Sequence, residues 1–218
     1  MAGVIDICNK ALRLINVDPI NSIDESNEQA RCCKLFYVPA RDALLREHSW
    51  NFARSYAALP TTVLTHPHWK FVYGLPAEFL YALRVFPSDS SPVVSDNYYL
   101  DGRGMMAPIA DERYELACMA VSAKDHETVV LTNVEAAMME YVAVFDDTTK
   151  YDPCFVEALC YKLASEMAMP LTGNGELATF YSRSYAASLQ RAKALNADEG
   201  RHVPALSPKV SSFQNSRR

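Results

Sequence analysis

The stretch that most constrains this chain is residues 26–52, SNEQARCCKLFYVPARDALLREHSWNF. Ala30, Cys33, Tyr37, Ala40 and Leu44 recur at steps of three and four, which places them on one face of a helix. Ser26 followed by Gln29 has the spacing of a capping box, in which each side chain satisfies a backbone N–H the helix start leaves open. Arg31, Lys34, Arg41 and Arg46 fall largely outside the apolar stripe and are expected to form a basic face. Pro39 removes one backbone donor, yet the stripe continues in register beyond it, so a bend is expected rather than an end. Trp50 and Phe52 then mark the point where this helix locks into the remaining fold.

Val4, Cys8, Ala11, Leu12 and Ile15 predict a first helix over about 4–16, and the short connection at 21–25 predicts that it forms an antiparallel hairpin with the second. From residue 54 the texture changes to short apolar pieces at 79–86, 98–100, 105–108, 113–121, 128–131 and 140–145, separated by turn chemistry such as Asp101, Gly102, Arg103 and Gly104. Residues 134–139 fit either a strand or a helix. Helical periodicity returns after Tyr151: Asp152 can cap, Pro153 suits the first turn, and Val156, Leu159, Cys160, Leu163 and Met167 form a stripe closed by Pro170 and Gly173. Asn174 can cap a fourth helix lined by Leu177, Tyr181, Tyr185, Leu189 and Ala192, with Gly200 past its end. The expected fold class is therefore α+β and mainly helical. N- and C-terminal helical hairpins (1–53 and 151–200) form a four-helix bundle, a small antiparallel β-domain (54–150) is inserted between them, and a flexible basic tail (201–218) follows.

Charge is unevenly spread. The last eighteen residues carry Arg201, Lys209, Arg217 and Arg218 and no acid, so 17 of the 21 basic groups and all 26 acidic ones fall in the first 200 residues, a net charge of −9 there. Such a body is unsuited to wrapping DNA through its phosphates. The tail is expected to be disordered when free and to dock elsewhere through Val203, Leu206, Val210 and Phe213, with Lys209, Arg217 and Arg218 supplying charge. No run of eighteen apolar residues and no secretory signal is read in the sequence, so a cytoplasmic site of synthesis and no membrane partner are expected.

Chemistry-bearing patterns are thin. His66 and His68 lack companion ligands at a metal-binding spacing, and a turn with exposed imidazoles is the simpler reading. Six cysteines show no two-residue gap and read as buried, reduced thiols. Adjacent Asp146 and Asp147 read as a solvated turn, and His48 as a histidine favoured by a helix C-terminus. There is no nucleophile elbow, phosphate-binding glycine loop or zinc-protease helix. No catalytic residue, metal or cofactor is expected.

Particular residues suggest a family. ALRLINVDPINSIDES leads to a helix ending LLREHSWNFA. YGLPAEFLYALRVFP, EYVAVFDDTTKYDPCFVEALCYKLASEMAMPLTGN and ALNADEG follow in order. Over residues 4–200 this succession resembles the tail tubular protein A family, the head-to-tail adaptors of short-tailed bacteriophages. The resemblance implies a structural virion protein made in the host cytoplasm. When assembled it would be a dodecameric ring below the portal protein, with a monomer as the alternative when free, carrying the tail nozzle protein and lining the channel through which double-stranded DNA exits without specific binding. It further implies a ring wall built by the helices and a C-terminal segment that orders against the portal. The basic face of Arg31, Lys34, Arg41 and Arg46 is then the expected contact between subunits. The alternative is a tail-associated hydrolase acting on the cell envelope or nucleic acid, for which His48, Asp146 and Asp147 are the only candidates.

Overall fold

A computed structural model describes residues 3–88, 98–100, 106–108, 113–120 and 125–199. The first helix, α1 (Val4–Leu14), buries Ile7, Cys8, Ala11 and Leu12. Asn9 on its flank holds the following connector, donating from Nδ2 to Ile20 O and accepting from Ile20 N at Oδ1, both at 2.8 Å. The second helix, α2 (Glu28–Arg46), buries all five residues of the apolar stripe. Its cap is Asn27 rather than Ser26: Asn27 Oδ1 accepts from Ala30 N at 2.8 Å. Pro39 lies inside an unbroken helix. Both Pro39 and Leu35, whose carbonyl it leaves unpaired, face solvent, where water can satisfy that carbonyl.

After a single 3-10 turn at Asn51–Ala53 the chain enters a sheet-rich middle. Its strands are β1 (Arg54–Ala58), β2 (Phe71–Gly74), β3 (Phe79–Pro87), β4 (Tyr98–Leu100), β5 (Met106–Pro108), β6 (Tyr114–Ala120), β7 (His126–Thr132) and β8 (Ala137–Ala143). Two three-stranded antiparallel sheets form, ordered β1-β8-β3 and β2-β7-β6, while β4 pairs with β5. The sheets share a core in which Val85, Met139 and Tyr141 of the first meet Tyr73 and Val130 of the second. The far face of the second sheet, with Val72, Val129 and Leu131, is covered by Leu64 and Trp69. Residues 134–139 take no helical turn: the chain reverses at Ala136, in the left-handed region at φ 48°, and enters β8.

A second 3-10 turn, Thr148–Lys150, leads to α3 (Pro153–Thr172). Asp152 Oδ1 caps it by accepting from Cys154 N at 2.7 Å and Phe155 N at 3.2 Å. Gly173 ends it at φ 67°, a conformation that favours glycine. Asn174 Oδ1 accepts from Glu176 N and Leu177 N to start α4 (Gly175–Glu199).

The expected four-helix bundle with a small β insert is not what forms. Helix α3 is the centre, and α1 and α2 pack chiefly on it with little contact between themselves, so they do not make the hairpin that the short connection suggested. Helix α4 lies along α3 and buries only Leu189, Ala192 and Asn196. Two packed sheets, rather than a minor insert, fill the middle of the chain, and Val142 of β8 joins the helical core directly. The physical reason is coverage. A stripe of apolar residues specifies that a helix has a partner, but not how many helices share one core, and here α3 is buried deeply enough to serve three. The expected turn at 101–104, Gly200 and the tail over 201–218 lie outside the described residues.

Trp50 has no exposed surface, and its ring packs edge-on to Phe155 with centroids 5.0 Å apart. Trp50→Ala is predicted to destabilise the protein by about 3 to 5 kcal/mol. Chemical denaturation followed by circular dichroism measures this directly.

Candidate functional site

The four basic residues expected to form one face of α2 meet different fates. Arg31 pairs with Glu28 at 3.7 Å and Lys34 with Asp24 at 2.9 Å, so both are neutralised within the chain while remaining exposed. Arg46 stays exposed and donates to Leu80 O at 3.2 Å. Arg41 turns inward, its side chain 7% exposed, and is held by Asp42 at 2.8 Å and by Asp146. Burial works against its charge, but the two carboxylates outweigh that and keep the guanidinium protonated. Arg41 is therefore a bolt between α2 and the segment after β8, and the expected four-residue basic face reduces to Arg31, Lys34 and Arg46. Beside it lies the buried Tyr37 hydroxyl, next to Tyr151, whose own hydroxyl donates to Phe145 O at 2.6 Å.

His48 belongs to a polar clasp. Its Nε2 lies 2.9 Å from Nδ2 of Asn196, a buried residue in the last turns of α4. Asn196 also accepts from Asn51 N at 3.0 Å, and its carbonyl receives Asn51 Nδ2 at 2.9 Å. This ties the end of α4 to the turn between α2 and β1. Burial, with Lys193 and Arg54 nearby, holds His48 below its ordinary value, so the neutral ring that can accept from Asn196 is favoured. Asp147 caps the Thr148–Lys150 turn through Thr149 N, and Asp146 is engaged by Arg41. The three hydrolase candidates thus have separate partners, and no contact joins the histidine to either acid.

His66 and His68 lie 5.8 Å apart by ring centroid, and no group of three metal-ligating side chains occurs among the described residues. The six thiols are free. Cys8, Cys32, Cys33 and Cys160 are buried, and burial raises the Cys160 thiol to about 11. A cleft of about 540 Å³ opens between Leu59, Phe71, Tyr73 and Ala137, and among the described residues its charged lining is Lys70 and Glu135. It holds none of the sequence candidates. The tail residues Val203, Leu206, Lys209, Val210, Phe213, Arg217 and Arg218 lie outside the described residues.

One arrangement escaped the sequence reading. In the sheet β1-β8-β3 the register sets Tyr56, Glu140 and Arg84 side by side across three strands, with Arg54 two residues before Tyr56 on the same face. Glu140, 7% exposed, receives Arg84 Nε at 2.6 Å and the Tyr56 hydroxyl at 3.1 Å, with Arg54 Nε at 3.6 Å. Arg84 also lies over the Phe86 ring, 5.0 Å from its centroid. The sequence signal was a single charged residue in each of three distant strands: Arg54, Arg84 and Glu140.

No protein-family model matches the chain, and no curated protein matches it in sequence. The described helices include none long and apolar enough to cross a membrane.

Arg41→Glu is predicted to cost about 3 kcal/mol, because it sets a third carboxylate beside Asp42 and Asp146. Arg46→Glu at the exposed end of the same helix changes stability by about 0.5 kcal/mol or less. Urea titration of both variants checks this. For His48 the folded-state pKa is depressed below the ordinary 6.5, so its contribution to stability is complete above that pH and is lost as pH falls through the folded value. As pH falls below about 6.5 the melting temperature of the native protein should fall more steeply than that of His48→Gln. Equal slopes would show that the clasp does not titrate.

Proposed function

We propose that this chain is a structural adaptor of a short-tailed phage virion, forming a ring between the portal and the tail nozzle around the path of exiting DNA. The observation that carries the reading is the ordered succession of landmarks from ALRLINVDPINSIDES through LLREHSWNFA to ALNADEG, which together resemble the adaptor family across residues 4–200.

Two properties of the single chain support it. The described surface keeps large apolar side chains exposed on helices: Leu35 and Val38 on α2, Met169 at the end of α3, and Phe180 on α4. A helix of 25 residues that buries three of them retains most of its surface for neighbours. The acidic body also suits a channel wall, because like charge lets duplex DNA slide without binding phosphates. The ring would sit in the virion neck after synthesis in the host cytoplasm. Portal protein, nozzle protein and other copies of the chain are its partners, and no cofactor takes part.

Negative-stain imaging of the purified protein mixed with portal protein is expected to show rings on the portal vertex. Failure to bind either the portal or a tail protein would sink the reading. Deleting residues 203–218 is predicted to weaken portal docking while leaving the circular dichroism and melting of the body unchanged. Unaltered docking would mean that the helices carry the contact alone.

A further inference from the structure

The charge cluster on the first sheet is built to present cations outward. Glu140 is sunk in the central strand, and it uses both oxygens to hold the two arginines through Nε. Arg54 and Arg84 are 40% and 42% exposed, and among the described residues their ion pairs to Glu140 run through Nε. Tyr56 stands half-exposed on the strand of Arg54, across Glu140 from Arg84, and Phe86 lies beneath Arg84. Arg46 and Arg54 both act on Tyr81, and Arg54 and Lys193 both act on His48, so the positive field extends from the sheet to the ends of α2 and α4. Against Arg46, Arg54, Arg84 and Lys193 stand Glu47 and Glu140, an excess of two positive charges on a body whose net charge is −9. Two guanidinium groups preset on a buried carboxylate, with a tyrosine on the same carboxylate, match the residue types that dominate protein contacts.

We propose that this ledge is the basic half of a head-to-tail contact between copies of this chain, occupied by a carboxylate-bearing face of the neighbouring copy. Charge points to the occupant, and the ring-forming reading supplies the symmetry. The first 200 residues offer 26 carboxylates against 17 basic groups, so a second copy has acidic surface to give. A two-fold contact of the ledge with itself would oppose arginine to arginine. The ledge must then meet a different, acidic face of its neighbour; within the ring-forming reading that contact is heterologous, and a heterologous contact closes into a ring when its rotation permits. Duplex DNA is disfavoured as occupant because the surrounding body repels it. The inference rests on the ring-forming reading and names which surface makes the ring.

The test uses the full chain with Tyr56 replaced by the photoreactive p-benzoylphenylalanine, and a control with the same group at Val63, which is 97% exposed on the loop after β1. Irradiation of concentrated protein should give from position 56 a ladder extending beyond the dimer, suppressed by salt and mapping to acidic peptides of the second copy. In sedimentation experiments the triple variant Arg54→Gln, Arg84→Gln, Glu140→Gln, which removes the charges while keeping hydrogen-bonding groups, should associate about tenfold more weakly with unchanged circular dichroism. A product that stops at the dimer overturns the head-to-tail geometry. A ladder from position 63 with none from 56 overturns the ledge and leaves the ring standing. Capture of added duplex DNA at position 56 in place of protein makes the ledge a nucleic-acid site and overturns it, as does absence of any self-association. In that last case ring formation on the portal is decided separately by imaging.

Discussion

The fold hangs on one buried aromatic cluster at the end of α2. Trp50 donates its indole N–H to Leu44 O at 3.0 Å, so the ring is sunk without leaving a polar group unpaired. Phe155 in the first turn of α3 packs edge-on against Trp50, Phe52 and Tyr151, each at 5.0 Å. Phe145, after β8, completes the set against Phe52 at 5.8 Å. A helix end, a helix start and the exit from a sheet are thereby fixed to one another, and β1 begins two residues after Phe52. The Asn196 clasp on Asn51 then fastens the far end of α4 to the same turn. Four elements take their relative positions from this connector, so cores on either side of it cannot shift independently.

Local rules made the helices legible. Asp152 with Pro153 and Asn174 both start helices as their chemistry requires, and Gly173 ends one in the left-handed conformation. The start of α2 moved by one residue because Ser26 and Asn27 are both competent caps, and spacing to an acidic or amide partner does not choose between them. Arg41 was misplaced although the signal was present: it follows Tyr37 by four residues and precedes Leu44 by three, which puts it on the buried face. What propensity could not contain is the non-local part. β1 is five residues long, with two alanines and a serine, and exists because β8 pairs with it more than eighty positions away. The tyrosines of α4 likewise repeat as a core stripe would, yet Tyr181 and Tyr185 remain half-buried and reach out to Leu14 O and Glu47 with their hydroxyls.

The same distinction explains why the charged surface was misjudged. Along α2, bases at 31 and 34 meet acids at 28 and 24, so the first half of a stripe that reads as positive in a helical projection is neutral in the folded chain. Exposed pairs of this kind contribute little to stability, but they remove the charge from any long-range field. The ledge around Glu140 works in the opposite way. Two arginines share one carboxylate, so pairing leaves a positive remainder, and burial of the acid fixes where that remainder points.

A buried acid between two half-exposed arginines is a weak device for stability alone, since well-packed apolar residues serve that purpose as well or better. Its effect here is directional. The central strand supplies the anchor and the two flanking strands supply the arms, so register alone sets their spacing. Any slip of β1 or β3 by one residue would turn an arginine to the opposite face and bury it against the second sheet, where Val85, Met139 and Tyr141 leave it no counter-charge. The sheet register and the charge pattern therefore enforce each other. The constraint that keeps the strands aligned is the one that points the guanidinium groups outward.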